Sequence, residues 1–170
     1  MNRLWAPWRY QYVSGKLRGC FFCRYVKEKK DRSHFLIQRS KHSFSLLNIY
    51  PYNNGHVMVV PKRHVCDLEL LTPEERADLM DLLIETKRLF QKVLKPHGFN
   101  CGINFGRVSG AGVADHLHLH LVPRWNGDTN FMPITGGAKV ISQSLKALYD
   151  LLSREQKKRR QNSPRKVKRR

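Results

Sequence analysis

The chain of 170 residues lacks any apolar run long enough to cross a bilayer. It also lacks a secretory leader, because Arg3, Arg9 and Lys16 interrupt the apolar residues near its start. These absences point to a cytoplasmic protein with no membrane partner. Cysteine is scarce and badly placed for a disulfide framework: Cys20 and Cys23 form a tight C-x-x-C, while Cys66 and Cys101 stand alone. No internal repeat is present. Acidic residues are also few, 13 against 32 Lys and Arg, which gives a formal charge of +19. The deficit is local. Met1–Lys41 carries 11 basic and 2 acidic residues and Arg154–Arg170 carries 10 and 1, whereas His42–Ser153 is balanced at 11 and 10.

The final stretch, "REQKKRRQNSPRKVKRR", is almost devoid of apolar residues and is expected to be a disordered tail over 154–170. Such a tail suits non-specific contact with nucleic acid through counterion release, or nothing beyond solubility. The charge alone does not make this a nucleic-acid-binding protein. The remaining 1–153 has the length of one domain with a real core.

Local patterns indicate an α+β domain. Trp5, Trp8, Tyr10 and Tyr12 crowd the start and are expected to pack on the domain or on a second subunit. The charged "KEKKDRS" reads as an exposed turn. A strand is expected from about His42 to Ile49, then a loop through Pro51, Asn53, Asn54 and Gly55, then a β-branched strand ending at Pro61. Thr72-Pro73-Glu74-Glu75 is a capping box, followed by Leu79, Leu83, Thr86, Phe90 and Val93 on one helical face. Pro96 and Gly98 end that helix. "CGINFGRV" is read as a third strand, "SGAG" as a glycine loop and "HLHLHLVPR" as a fourth strand. A second amphipathic helix is expected near Lys139–Leu152. Strand-strand-helix-strand-strand-helix describes an antiparallel sheet with helices packed on one side.

"HLHLHLV" raises the chemical question. On a strand His116, His118 and His120 share one face and Leu117, Leu119 and Leu121 the other. Three strictly alternating histidines are a poor fit to merely buried, satisfied rings. A single metal cannot take all three, since alternate side chains stand roughly 7 Å apart along a strand. Attack of an imidazole on phosphorus, with its neighbours holding the tautomer and neutralising the anion, fits better. The preceding Gly110-Ala111-Gly112 loop could present backbone N–H groups to phosphate oxygens.

Together with "LWAPWR", "CFFC", "NNGHVMVVPKRH", "GINFGRVSGAGVADHLHLHLVPRW" and "NGDTNFMP", the stripe resembles the histidine-triad superfamily of nucleotide hydrolases and transferases. The likeness runs over roughly residues 4–147 and is strongest to its bacterial diadenosine tetraphosphate phosphorylase-like branch. The resemblance implies that His118 is the nucleophile, attacking the α-phosphate of a dinucleoside polyphosphate to hold AMP covalently. It places His120 and His56 at the phosphate, Asn48 at the ribose hydroxyls, and Asn104 with the glycine loop at the substrate. It also implies a homodimer. Hydrolase branches carry Gly-Gln-Ser/Thr before the triad, whereas Gly110-Ala111-Gly112-Val113 has neither glutamine nor hydroxyl, which favours an acceptor such as inorganic phosphate. Arg107 and Arg124 are read as surface residues near the site, and Asp128 as a turn former. Cys20 and Cys23 need two more ligands for a structural zinc, for which His64 and a triad histidine are candidates. The resemblance selects His64 and His116; the competing reading is a pair of free, buried thiols. Two other functions stay open: a purine nucleoside phosphoramidase, and a zinc-stabilised nucleotide or RNA-binding module acting through the basic termini.

Overall fold

The structure, a computed structural model, describes residues 19–129 and 141–162. The aromatic cluster at Trp5–Tyr12 and the last eight residues lie outside it. In chain order the elements are α1 (Phe21–Glu28), β1 (Leu36–Arg39), β2 (Ser43–Leu47), β3 (Val57–Pro61), α2 (Pro73–Leu94), β4 (Gly98–Ile103), β5 (Leu119–Arg124) and α3 (Leu145–Asn162), with a short 3-10 turn at Leu68–Leu70. The strands form one antiparallel sheet in the order β1-β2-β3-β5-β4.

Alternation along the strands assigns each face. Val57 and Val59 of β3 join Leu119 and Leu121 of β5 beneath α2, where Leu79, Leu82, Leu89 and Phe90 supply the helical side. Leu148, Tyr149 and Leu152 of α3 complete that layer. Met58 and Val60 point the other way, to Leu36, Phe44, Leu46 and Phe22 of α1. Both expected helices therefore pack on one side, and α1 is an added cover on the other. Because β3 is covered on both faces it is apolar throughout, which is why "HVMVVP" shows no polar alternation.

α2 begins where the capping box predicts. The Thr72 hydroxyl accepts from the Glu75 N–H at 3.2 Å, and the Glu75 carboxylate accepts from the Thr72 N–H at 2.9 Å. Arg63 grips the same carboxylate at 2.6 and 2.9 Å, and this pairing holds the Glu75 pKa at about 2.

Several boundaries differ from the sequence reading, each for a local reason. "KEKKDRS" is only partly a turn: Lys27 and Glu28 finish α1, which stops at Lys29 in the left-handed region (φ 52°). β1 was not expected; it is four residues long, follows Phe35 at φ 53°, and has a register irregularity between Leu36 and Gln38. The third strand starts at Gly98 rather than Cys101 and ends at Ile103, so Asn104–Val108 lie beyond it. The fourth begins at Leu119, because the Leu117 N–H leaves the ladder to reach the Val65 carbonyl at 2.6 Å. α3 starts at Leu145 and continues to Asn162, so Arg154–Asn162, expected as disordered tail, is helical. Two ion pairs tie this helix down, Arg32–Asp150 at 2.7 Å and Lys92–Glu155 at 2.6 Å.

Candidate active site and metal centre

Only His120 of the three histidines lies on a regular strand, yet the alternation survives through the irregular 116–118 segment. Leu117, Leu119 and Leu121 are buried under α2, and His120 pairs with Met58 on the α1 face. His116 and His118 are buried and both pack against the ring of Phe22, with ring centroids at 5.3 and 5.4 Å. On this face a cavity of about 850 Å³ opens, a size ordinary for small-molecule sites. His118, His120, Asn48, Gly110 and Gly112 line it. So do Tyr52, Val113 and, from α1 and the turn after it, Phe21, Arg24, Tyr25 and His34.

Each ring has one nitrogen committed to the protein. His118 Nδ1 lies 2.8 Å from the backbone carbonyl of His116. A carbonyl only accepts, so His118 carries its proton on Nδ1 and presents the Nε2 lone pair. His120 is set in the opposite sense. The Tyr52 N–H donates to His56 Nδ1 at 3.0 Å, and the Asn48 amide approaches the same atom at 3.3 Å. His56 must then hold its proton on Nε2 and donate it to His120 Nδ1 at 2.8 Å. His120 is left protonated at Nε2, a buried nitrogen with no hydrogen-bond partner among the described residues.

Burial keeps these rings neutral. It lowers His56 to about 3, with the charges that His120 and His118 would carry adding to the effect, and lowers His120 to about 4. His118 is lowered mainly by burial, with the bond to the His116 carbonyl opposing. A neutral lone pair and a neutral N–H donor thus stand side by side, their ring centroids 4.9 Å apart.

The loop behind His120 explains a glycine. Gly55 has φ 74°, and a Cβ there would sit 3.0 Å from Leu94 and 3.1 Å from Pro123. This tight corner delivers His56, whose carbonyl accepts from the Asn48 N–H at 2.9 Å while its own N–H reaches the Asn53 carbonyl at 3.1 Å.

The expected site residues fall into three groups. His118, His120, Asn48, Gly110 and Gly112 meet at the cavity. His56 does not line it but stands behind His120 as the source of its tautomer. Asn104 and Ala111 are not among the lining residues, because the chain leaves the sheet at Ile103 and turns. The Gly110 N–H, expected to face a phosphate, is used by the Arg107 carbonyl at 3.0 Å within that turn. Arg124 is committed to Asp128 at 2.6 Å and to Asn100 at 2.7 Å, and Asp128 closes the turn at Trp125, as a turn former should. The sequence reading passed over Tyr52, Phe21, Arg24, Tyr25 and His34. The clue was the aromatic density of "CFFCRY", which eight residues of helix are too short to display as a period.

His64, in the segment after β3, closes a separate cluster. Cys20, Cys23, His64 and His116 bring one ligand atom each within 4.8 Å of one another and could hold a metal ion. His116 Nδ1 is 3.2 Å from Cys20 Sγ, 3.6 Å from Cys23 Sγ and 3.2 Å from His64 Nδ1, and Cys23 Sγ is 3.4 Å from His64 Nδ1. Ordinary zinc bond lengths in a tetrahedron place such ligands roughly 3.3–3.8 Å apart. His116 donates Nε2–H to the Pro61 carbonyl at 2.9 Å, so its Nδ1 lone pair faces the sulfurs. Burial and the adjacent Cys20 push the Cys23 thiol up, a penalty that a cation would relieve. The residues fit a Cys2His2 metal site.

A family model described as "HIT domain" matches residues 29–127. The chain belongs to the HIT domain family. This HIT domain is 41% identical over 165 residues to the AP-4-A phosphorylase of Mycobacterium tuberculosis (strain CDC 1551 / Oshkosh), covering 91% of this chain and 84% of that protein. It is 37% identical over 90 residues to the asymmetrical bis(5'-nucleosyl)-tetraphosphatase of Schizosaccharomyces pombe, covering 53% and 49%. Among solved structures, a Zn-bound histidine triad family protein from Mycobacterium smegmatis superposes with a TM-score of 0.67 at 26% identity, covering 85% of this chain and 98% of that one.

Proposed function

We propose that this HIT domain cleaves dinucleoside polyphosphates such as diadenosine tetraphosphate at the α-phosphate, with inorganic phosphate as the acceptor. The observation that carries the reading is the opposed tautomers of His118 and His120 at one cavity. His118 Nε2 attacks the α-phosphorus and forms a P–N bond as the P–O bond to the departing ATP breaks. His120 Nε2–H hydrogen-bonds the oxygens that gain charge in this step. Phosphate oxygen then attacks the same phosphorus, the P–N bond breaks, and ADP leaves with His118 restored. His118, His120 and His56 carry the chemistry, the last through its hold on His120. Asn48, Gly110 and Gly112, which line the cavity, take the nucleotide. The 41% identity to a phosphorylase and the absence of a glutamine or hydroxyl at Ala111–Val113 support phosphate over water.

Zinc is the metal we assign to Cys20, Cys23, His64 and His116; bound there it would pin α1, and with it one wall of the cavity, to the start of the catalytic segment. A homodimer is supported by β4, which ends the sheet with Cys101 and Gly102 exposed, and by exposed Met80 and Ile84 on α2. A cytoplasmic location is supported by four cysteines, none of them in a disulfide; among the described residues no helix is long and apolar enough to cross a membrane.

The test is product analysis on diadenosine tetraphosphate with and without phosphate. ADP plus ATP, formed only with phosphate, is the expected result. AMP plus ATP, or two ADP, formed without phosphate marks a hydrolase instead. Turnover of adenosine 5'-phosphoramidate alone marks a phosphoramidase.

A further inference from the structure

The basic C-terminal stretch was expected to be a loose tail, but the fold builds its first part into a surface. α3 carries six cations, Lys146, Arg154, Lys157, Lys158, Arg159 and Arg160, against two acids, Asp150 and Glu155. Each acid is already occupied by a cation from another element. Asp150 holds Arg32 of the turn between α1 and β1, which also bears Lys29 and Lys30. Glu155 holds Lys92 of α2, which has Arg88 and Lys95 one helical turn away on either side. The Glu155 carboxyl is held below its usual range first by Lys92, and the fields of Lys158 and Arg159 add to this. The acids of α3 thus knit three basic segments together, and Asp31 of the turn is likewise paired, with Arg39 at 2.7 Å.

We propose that α3, the Lys29–Arg32 turn and the C-terminal end of α2 form a docking surface for the phosphodiester backbone of a nucleic acid. Lys157, Lys158 and Arg159 are exposed and lie one after another at the end of the helix, where the chain continues into five more cations after Asn162. Leu152 is the last apolar side chain of α3, so the segment has no apolar face to insert among lipid chains. Exposed lysines and arginines of this kind pair with phosphates, so binding is to the backbone, independent of sequence and steeply dependent on salt. Clustered like charges also oppose the helix they sit on, so a polyanion that neutralises them raises its helicity. This surface is independent of the catalytic reading, since none of its residues touches the cavity histidines.

The test uses the full chain with a labelled 20-nucleotide oligouridine RNA, a duplex DNA of equal length and anionic phosphatidylserine vesicles, from 50 to 200 mM KCl. The expected result is binding to RNA or DNA whose affinity falls at least tenfold across that range. The variant K157E/K158E/R159E should lose at least tenfold in affinity at 100 mM, while its turnover of diadenosine tetraphosphate and its thermal midpoint stay near those of the parent. Preference between the two nucleic acids identifies the source of the backbone. Three results overturn the proposal: no binding at 50 mM, vesicle binding as tight as nucleic-acid binding, or an unaffected triple variant while a chain ending at Asn162 loses all affinity.

Discussion

His116 and His118 are two residues apart, buried to similar depth and packed on the same phenyl ring, yet one faces the cysteine cluster and the other the cavity. Each gives one N–H to a backbone carbonyl. His116 gives Nε2–H to Pro61 and turns Nδ1 to the cysteines; His118 gives Nδ1–H to His116 itself and turns Nε2 to the cavity. The difference teaches that residue type did not assign these roles. The position of one carbonyl oxygen decides which nitrogen is left as a lone pair, and so whether that lone pair faces the cysteines or the cavity.

The largest effect should come from breaking the cavity side of this pair. His118→Ala should reduce turnover of diadenosine tetraphosphate by roughly 10⁴-fold or more, as loss of a nucleophile does, with little change in thermal midpoint. Activity within tenfold of the parent would remove His118 from the reaction. Breaking the metal side should act on stability first. A ligand held at 100–1,000 times its dissociation constant contributes about 3–4 kcal/mol, so a strong chelator should lower the melting temperature by several degrees and release one metal per chain. In Cys23→Ala the same chelator should have no further effect.

The pair can be sharpened through His56. His56→Phe fills the space but leaves His120 Nδ1 without its donor, and should lower kcat by about 10²-fold, within the range for a misplaced acid–base group. The pH dependence follows from the same burial. His56 and His120 have folded pKa values of about 3 and 4, below the unfolded value near 6.5. Above 6.5 neither state binds the proton and the full stability is present. As pH falls through 6.5 toward 4 the unfolded chain takes up protons that the folded one refuses, and stability is lost. Denaturant midpoints from pH 7 to pH 4 should therefore fall, and fall less in a His56→Phe variant. The smallest effect is expected away from both centres: Thr72→Ala should cost about 1 kcal/mol by chemical denaturation and leave turnover unchanged.

The parts of this architecture legible in the sequence are those that local chemistry fixes. Thr72, Pro73 and Glu75 mark the start of α2 because the cap satisfies its own first amides. Val57–Pro61, Leu119 and Leu121 read as strand because burial selects them. α1 was not legible, since Cys20 caps it without a side-chain hydrogen bond, and Cys20 and Cys23 meet partners 96 and 41 positions away in the chain. β4 was displaced because an exposed edge strand has no apolar alternation to betray its ends. At the site, the identities of His118, His120 and the four candidate ligands were legible; the tautomers were not. They depend on the carbonyls of Pro61 and His116 and on the amide of Tyr52, which carry no sequence signature.

Those tautomers are directly measurable. Long-range ¹H–¹⁵N correlation on histidine-labelled protein at pH 7.5 assigns the proton of each neutral ring to Nδ1 or Nε2. The predicted result is His118 protonated at Nδ1, with His120 and His56 protonated at Nε2. A proton on Nε2 of His118, or one common tautomer for His118 and His120, would contradict the account at its centre.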